Sequence, residues 1–271
     1  MKQRKSKLGF LEMQVLSYAQ LRNKNIFVTG ELKKVLGITA KQERELLSRM
    51  NRSGVMIRLK RGAYLVPLRI PSGGRWMASE HLVLAKLMEI YQATYQISGP
   101  NAFYFYSYDN QVPMRVYVYN NRIYGEKNIG GIEFVFIKTS VKRLGSVRDY
   151  LTPEGINTVM VTRSRALLDA VYDWSRYNTI PRAYTWILSS IANEPEIIQN
   201  LIQDTLKYGN KGTARRIGYL LTLYGTRNKQ LNKLKSKIGS TKTFIPWFPG
   251  QDLRGKINRE WGLIINGNLP E

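Results

Sequence analysis

The chain has 271 residues, 43% of them hydrophobic, and carries 42 Lys and Arg against 19 Asp and Glu, a net charge of +23. That size suits two or three globular units, and so basic a chain needs an anionic partner, with nucleic acid first and an anionic membrane surface second. The lack of cysteine excludes disulfides and thiolate metal sites, and one histidine, His81, cannot build a His-rich metal centre or support a conventional catalytic triad, so no cofactor or metal is expected.

The basic run 1–7 leads into amphipathic rather than purely apolar sequence, and no apolar stretch approaches the roughly 20 residues of a membrane span. A cytoplasmic protein with no membrane contact is expected. Residues 1–70 hold sixteen Lys and Arg against four acids. Leu8, Leu11, Val15, Leu16, Ala19 and Leu21 recur at helical spacing, which predicts a first helix over roughly 8–22. Thr29 is suited to cap a short helix through Leu32, Val35 and Leu36, stopped by Gly37. Thr39 caps the next helix, whose buried stripe is Leu46, Leu47 and Met50 and whose end is Ser53-Gly54.

Two short helices around Gly37-Ile38 read as a helix-turn-helix. Its outward face presents Lys41, Gln42 and Arg44 near the helix N-terminus, where they would meet base edges. Thr39, Arg49 and Arg52 are placed for phosphate. The stretch 55–66 alternates as two strands turning near Lys60-Arg61-Gly62, a wing whose Arg58, Lys60 and Arg61 would grip the DNA backbone. The alternative is a solvated basic face on a protein-binding winged helix; the agreement of charge, turn and wing favours DNA. Pro67, Pro71 and Gly73-Gly74 mark a boundary, dividing the chain into a winged helix-turn-helix DNA-binding domain over 1–70 and an α/β effector domain over 71–271.

Beyond it, apolar spacing predicts a helix over about 76–95, with His81 a surface or core-edge residue. The aromatic run Phe103-Tyr104-Phe105-Tyr106, then segments near 114–119, 122–124 and 132–137, read as strands, giving a helix on a mostly antiparallel sheet. Interleaved tyrosines and cations could stack unpaired bases, but alternation favours one face of a half-buried sheet. Asp109 and Glu133 stand apart from any acid cluster fit for Mg²⁺, so no enzyme is expected.

The last third reads as helices over 163–174, 181–192, 195–208, 212–224 and 228–238, then strands near 243–247 and 261–265 continuing the middle sheet. Arg165 and Asp169 are spaced as an intrahelical pair. Asp204 and Asp252 bracket a span without acids. In it Lys211, Arg215 and Arg216 open a helix, forming either a second anion patch for DNA or RNA or an ordinary solvated face. The fold class is α+β: an N-terminal winged helix-turn-helix followed by a mixed α/β domain with a helix-rich C-terminal part.

Four segments occur in an order that resembles AbiEi-like antitoxins. They are the wing Arg58-Leu59-Lys60-Arg61-Gly62-Ala63-Tyr64-Leu65-Val66, the stretch Val161-Thr162-Arg163-Ser164-Arg165-Ala166-Leu167-Leu168-Asp169-Ala170, the helix Ala214-Arg215-Arg216-Ile217-Gly218-Tyr219-Leu220-Leu221 before Gly225, and the ending Trp261-Gly262-Leu263-Ile264-Ile265-Asn266. The resemblance spans nearly the whole chain. It implies a type IV toxin-antitoxin system linked to phage defence by abortive infection. In such a system the N-terminal domain binds inverted repeats in operator DNA and represses its own operon, and the C-terminal domain counteracts a nucleotidyltransferase-like toxin without a stable complex. The alternative is a winged-helix regulator with a ligand- or nucleic-acid-sensing C-terminal domain and no toxin partner.

Overall fold

The computed structural model describes residues 8–69, 76–226, 229–240 and 243–269. The basic run 1–7, the boundary residues Pro71, Gly73 and Gly74, and Arg227, Asn228 and Lys242 lie outside the described residues.

The first helix, α1 (Phe10–Leu21), buries Val15, Leu16 and Ala19. A strand not foreseen from the sequence, β1 (Ile26–Val28), follows. Next come α2 (Glu31–Leu36) and α3 (Ala40–Arg52), separated by Gly37 at φ 65°, a left-handed conformation that glycine adopts without a Cβ penalty. Thr39 caps α3 as expected; α2 is entered instead through Gly30, and no side chain at that position caps it. The wing is β2 (Ile57–Lys60) and β3 (Ala63–Leu65), and β1 pairs antiparallel with β3 to make a three-stranded sheet in the order β1-β3-β2. Thr29 ties that sheet to the wing turn, its amide donating to the Gly62 carbonyl at 2.8 Å.

Helix α4 (Glu80–Tyr91), capped by Ser79, is shorter at both ends than its apolar spacing suggested, because Gln92 turns left-handed and Tyr95 opens β4 (Tyr95–Ile97). The aromatic run then departs from expectation: α5 (Pro100–Phe105) is a helix, with Pro100 in its first turn supplying a preset φ. After it come β5 (Val116–Asn120), β6 (Gly125–Ile129), β7 (Ile132–Lys138), β8 (Val147–Leu151) and β9 (Asn157–Val161). Strand β4 pairs antiparallel with β5 but parallel with β9, through Ile97 and Met160, so the sheet is mixed.

The helical third holds α6 (Arg163–Tyr172), α7 (Trp174–Tyr177), α8 (Arg182–Asn193), α9 (Ile197–Tyr208), α10 (Lys211–Leu223) and α11 (Lys229–Ile238). The closing strands do not extend the middle sheet. Strands β10 (Ile245–Pro246), β11 (Lys256–Asn258) and β12 (Leu263–Ile265) form their own sheet in the order β10-β12-β11, parallel on one side and antiparallel on the other.

The chain divides into two compact units. The first gathers residues 1–93, 124–136 and 151–158; the second gathers 94–123, 137–150 and 159–271. The break expected at residue 70 is thus not where compactness ends, since α4 and two later returns of the chain belong with the winged helix. In the first unit, Leu16, Phe27, Leu32, Leu46, Leu47 and Met50 form the core between the three helices and the wing. In the second, Leu167, Leu168, Tyr184, Ile187, Leu201, Leu220 and Trp261 belong to a larger helical core. Burial of this kind, worth about 1.5–3 kcal/mol per large apolar side chain, is the main favourable term in both.

Candidate nucleic-acid interface

The geometry of the helix-turn-helix rests on a buried carboxylate. Glu43 on α3 is fully buried and points back at the start of α2, accepting from the amides of Gly30 (2.7 Å), Leu32 (2.8 Å) and Lys33 (3.2 Å). Amides at a helix start have no partner within the helix, and a carboxylate also suits the positive end of its dipole. One side chain of α3 therefore caps α2 and sets the position of one helix against the other. Glu43 was not singled out from the sequence, though its place one position after Gln42, on the side of Leu46, Leu47 and Met50, was a visible signal.

Helix α1 is fastened to α3 by a second bridge: Arg49 Nε lies 2.7 Å from Glu12 Oε1, and Glu12 also accepts from the Gly9 amide. Burial acts to raise the Glu12 pKa, but the hydrogen bonds from Arg49 and Gly9 leave it below the ordinary value. Arg49, expected at phosphate, is thus engaged within the fold through Nε, while its side chain stays half exposed.

The opening of α3 is built by a reciprocal cap. Thr39 Oγ1 accepts from the Gln42 amide (3.2 Å) and Gln42 Oε1 accepts from the Thr39 amide (2.8 Å). One lone pair of the Gln42 amide oxygen is thus used in the cap, while the other and the amide hydrogens remain for a base edge. Lys41 and Arg44 are exposed on the same turns with no such role. Lys33 and Lys34 at the end of α2 are exposed as well, two further cations whose charge is plain in the sequence.

Arg52 and Arg58 are exposed; Asn51 Oδ1 accepts the Arg58 amide (2.9 Å) and joins the end of α3 to the first wing strand. Lys60 lies 4.5 Å above the Tyr91 ring of α4, within the range of a cation–π contact. Arg61, at the turn before Gly62, is the exposed cation of the wing tip.

The second expected patch dissolves. Lys211 is exposed, but Arg215 and Arg216 are almost wholly buried, donating to the carbonyls of Thr243 (3.1 Å) and Pro246 (3.0 Å). Burial lowers the pKa of both, and their work is to pin the chain entering β10 against α10. Two guanidinium groups so placed are not available to a phosphate.

Arg165 and Asp169 do form the expected pair (2.9 Å), but inside a larger buried cluster. Asp169 also accepts from Arg143 (2.5 Å) and from Ser98 (2.7 Å), while Arg165 donates to the carbonyls of Gly145 and Arg143. Burial would raise the Asp169 pKa, yet the two guanidinium groups hold it below the ordinary value. Asp109 is tied to Arg182 (2.9 Å) and Glu133 accepts from Asn128. Among the described residues no group of three or more His, Asp or Glu is arranged to hold a metal ion, and no helix is long and apolar enough to cross a membrane.

Residues 14–67, the stretch that forms the helices and wing, match the family model described as "Transcriptional regulator, AbiEi antitoxin". No curated protein matches the chain by sequence. Among solved structures, the crystal structure of the RV2827C protein from Mycobacterium tuberculosis is similar in fold, with a TM-score of 0.57 over 95% of this chain and 92% of that one at 15% identity.

Proposed function

We propose that this chain, whose residues 14–67 match the AbiEi antitoxin transcriptional regulators, is a DNA-binding antitoxin that represses its own operon. The observation that carries the reading is the exposed, capped start of α3, held to α2 by Glu43, with Lys41, Arg44, Lys33, Lys34 and Arg61 all exposed inside the segment the family model matches. In this reading Lys41 and Arg44 meet base edges. Thr39, whose hydroxyl hydrogen is left to donate, meets phosphate together with Arg52, Arg58 and Arg61. The partner is operator DNA with inverted repeats. Residues 1–70 hold the reading surface, and residues 71–271 hold the part that counteracts a nucleotidyltransferase-like toxin. The chain works as a regulator in the cytoplasm, without catalysis.

Binding to a fluorescent duplex from the chain's own upstream region, against a scrambled duplex across a salt series, tests the first half. Lys41→Ala/Arg44→Ala should erase most of the preference for the native duplex, since a good bidentate base contact discriminates by about 1–3 kcal/mol. Arg61→Ala should weaken both duplexes and reduce the salt slope by about 1. Equal binding of both duplexes by the unaltered protein would sink the operator reading. For the second half, co-expression with a toxin encoded beside the gene should restore growth, and the same rescue should survive Lys41→Ala/Arg44→Ala; loss of rescue in that variant would mean that protection is only repression.

A further inference from the structure

The second unit contains a cleft of about 360 Å³ that the DNA-reading surface does not use. Its lining brings together Arg115, Arg176 and Arg182 against one acid, Asp109, with the rings of Phe103, Tyr117 and Tyr177. Arg182 is ion-paired with Asp109 at 2.9 Å and still half exposed, so its guanidinium is positioned but not withdrawn from solvent. Arg115 and Arg176 are exposed.

The aromatic wall is held rigid from behind. Tyr177 meets Tyr117 edge-on at 5.5 Å and Phe103 at 5.8 Å. Its hydroxyl shares a 2.7 Å hydrogen bond with Tyr119, which in turn donates to Asp173 at 2.7 Å. Gly99 sits against the same ring at φ 65°, and a Cβ there would come within 2.7 Å of it, so only glycine leaves room for Tyr177 in this seat. On the other side, the segment that follows Asp109 places Val112 and Met114 at the cleft with their side chains largely in solvent. Such a cavity has the size of a small-ligand site, a fixed apolar wall and a few charged groups that set orientation.

We propose that this cleft binds a nucleotide, with the phosphate held by Arg176, Arg115 and Arg182 and the base laid against Tyr117 and Tyr177. Guanidinium groups recognise phosphate oxygens through paired hydrogen bonds. Aromatic side chains accept any base through its π-face. The volume admits one nucleotide and not a run of them, and the positive excess favours an anionic aromatic ligand over a neutral one. The inference is independent of operator binding and stands on residues of the second unit alone.

Calorimetric titration of the full chain with adenosine monophosphate tests it, with adenosine and inorganic phosphate as half-ligands. One saturable site is expected, bound more tightly than by either half. Arg176→Glu/Arg182→Glu should weaken it at least about tenfold, as expected for loss of charge-assisted hydrogen bonds. Tyr117→Leu should weaken the nucleotide but not phosphate, and Lys41→Ala/Arg44→Ala should leave binding unchanged. Thermal melting of each variant verifies that the fold is kept, and single Arg176→Ala replaces the double variant if that one melts early. A 5′-phosphorylated hexa-adenylate separates the sources: weakening of both ligands by Arg176→Glu/Arg182→Glu assigns the site to a nucleic-acid end, and weakening of the mononucleotide alone assigns it to a free nucleotide. Absence of saturation, equal binding of phosphate and nucleotide, or indifference to the arginine variants overturns the proposal.

Discussion

Asp204 lies almost wholly buried, accepting from Ser164 (2.7 Å) and Ser146 (3.0 Å), and among the described residues no guanidinium is bonded to it. Burial raises its pKa and the two hydroxyls offset this only in part, the reverse of Asp169, where Arg165 and Arg143 prevail. A carboxyl with a raised folded pKa favours folding in acid and loses that contribution as pH rises through its folded value. Asp204→Asn should therefore raise the melting temperature near pH 7 and change it little near pH 3, below the ordinary aspartate pKa of about 3.9. A destabilised variant near pH 7 would mean that the carboxylate charge is compensated. At this scale sequence spacing has limited reach. The Arg165 and Asp169 pair was legible because both ends lie one helical turn apart. Arg215 and Arg216 were misjudged because their partners, the carbonyls of residues 243 and 246, are some thirty positions away and leave no local trace.

Between elements, Glu43 joins α3 to the start of α2 by hydrogen bonds, beside the apolar contacts of Leu32 with Leu46, Leu47 and Met50 in the same core. Glu43→Ala would leave the buried Leu32 amide and the part-buried amides of Gly30 and Lys33 without this acceptor and should cost about 3 kcal/mol, since hydrogen bonds to a charged group are worth about 1.5–3 kcal/mol each. Urea unfolding measures the loss, and a change below the scatter of surface mutations would remove Glu43 from its place as the hinge pin. Helices α1 and α3 and the wing were readable because caps, glycine stops and alternation all agree there. Helix α5 was not: Phe103-Tyr104-Phe105-Tyr106 has strand-like composition, and Gly99-Pro100 with packing of Phe103 overrides it. Strands β8 and β9 escaped notice because the pairing of β9 with β4 joins residues more than sixty apart.

In the whole molecule, the winged helix is finished by chain that comes later. Gly54 accepts the Trp76 amide (2.9 Å), Lys60 rests on Tyr91, and Gly130 approaches Ile57 so closely that a Cβ there would lie 2.9 Å from its side chain. A fragment of residues 1–70 should thus unfold at lower urea than the same segment within the full chain, read by exchange protection of the α3 amides. Equal protection in both would show that the boundary drawn at residue 70 is a true limit of stability.

The first unit's third stretch ends only at residue 158, after the chain has left it twice for the second. A ribosome making this protein releases α3 long before that. At about 5–20 residues per second, the interval between emergence of residue 70 and residue 158 lasts several seconds. During those seconds the nascent chain displays α3 on an incomplete support, so on the proposed function a binding-competent reader is a late product of synthesis.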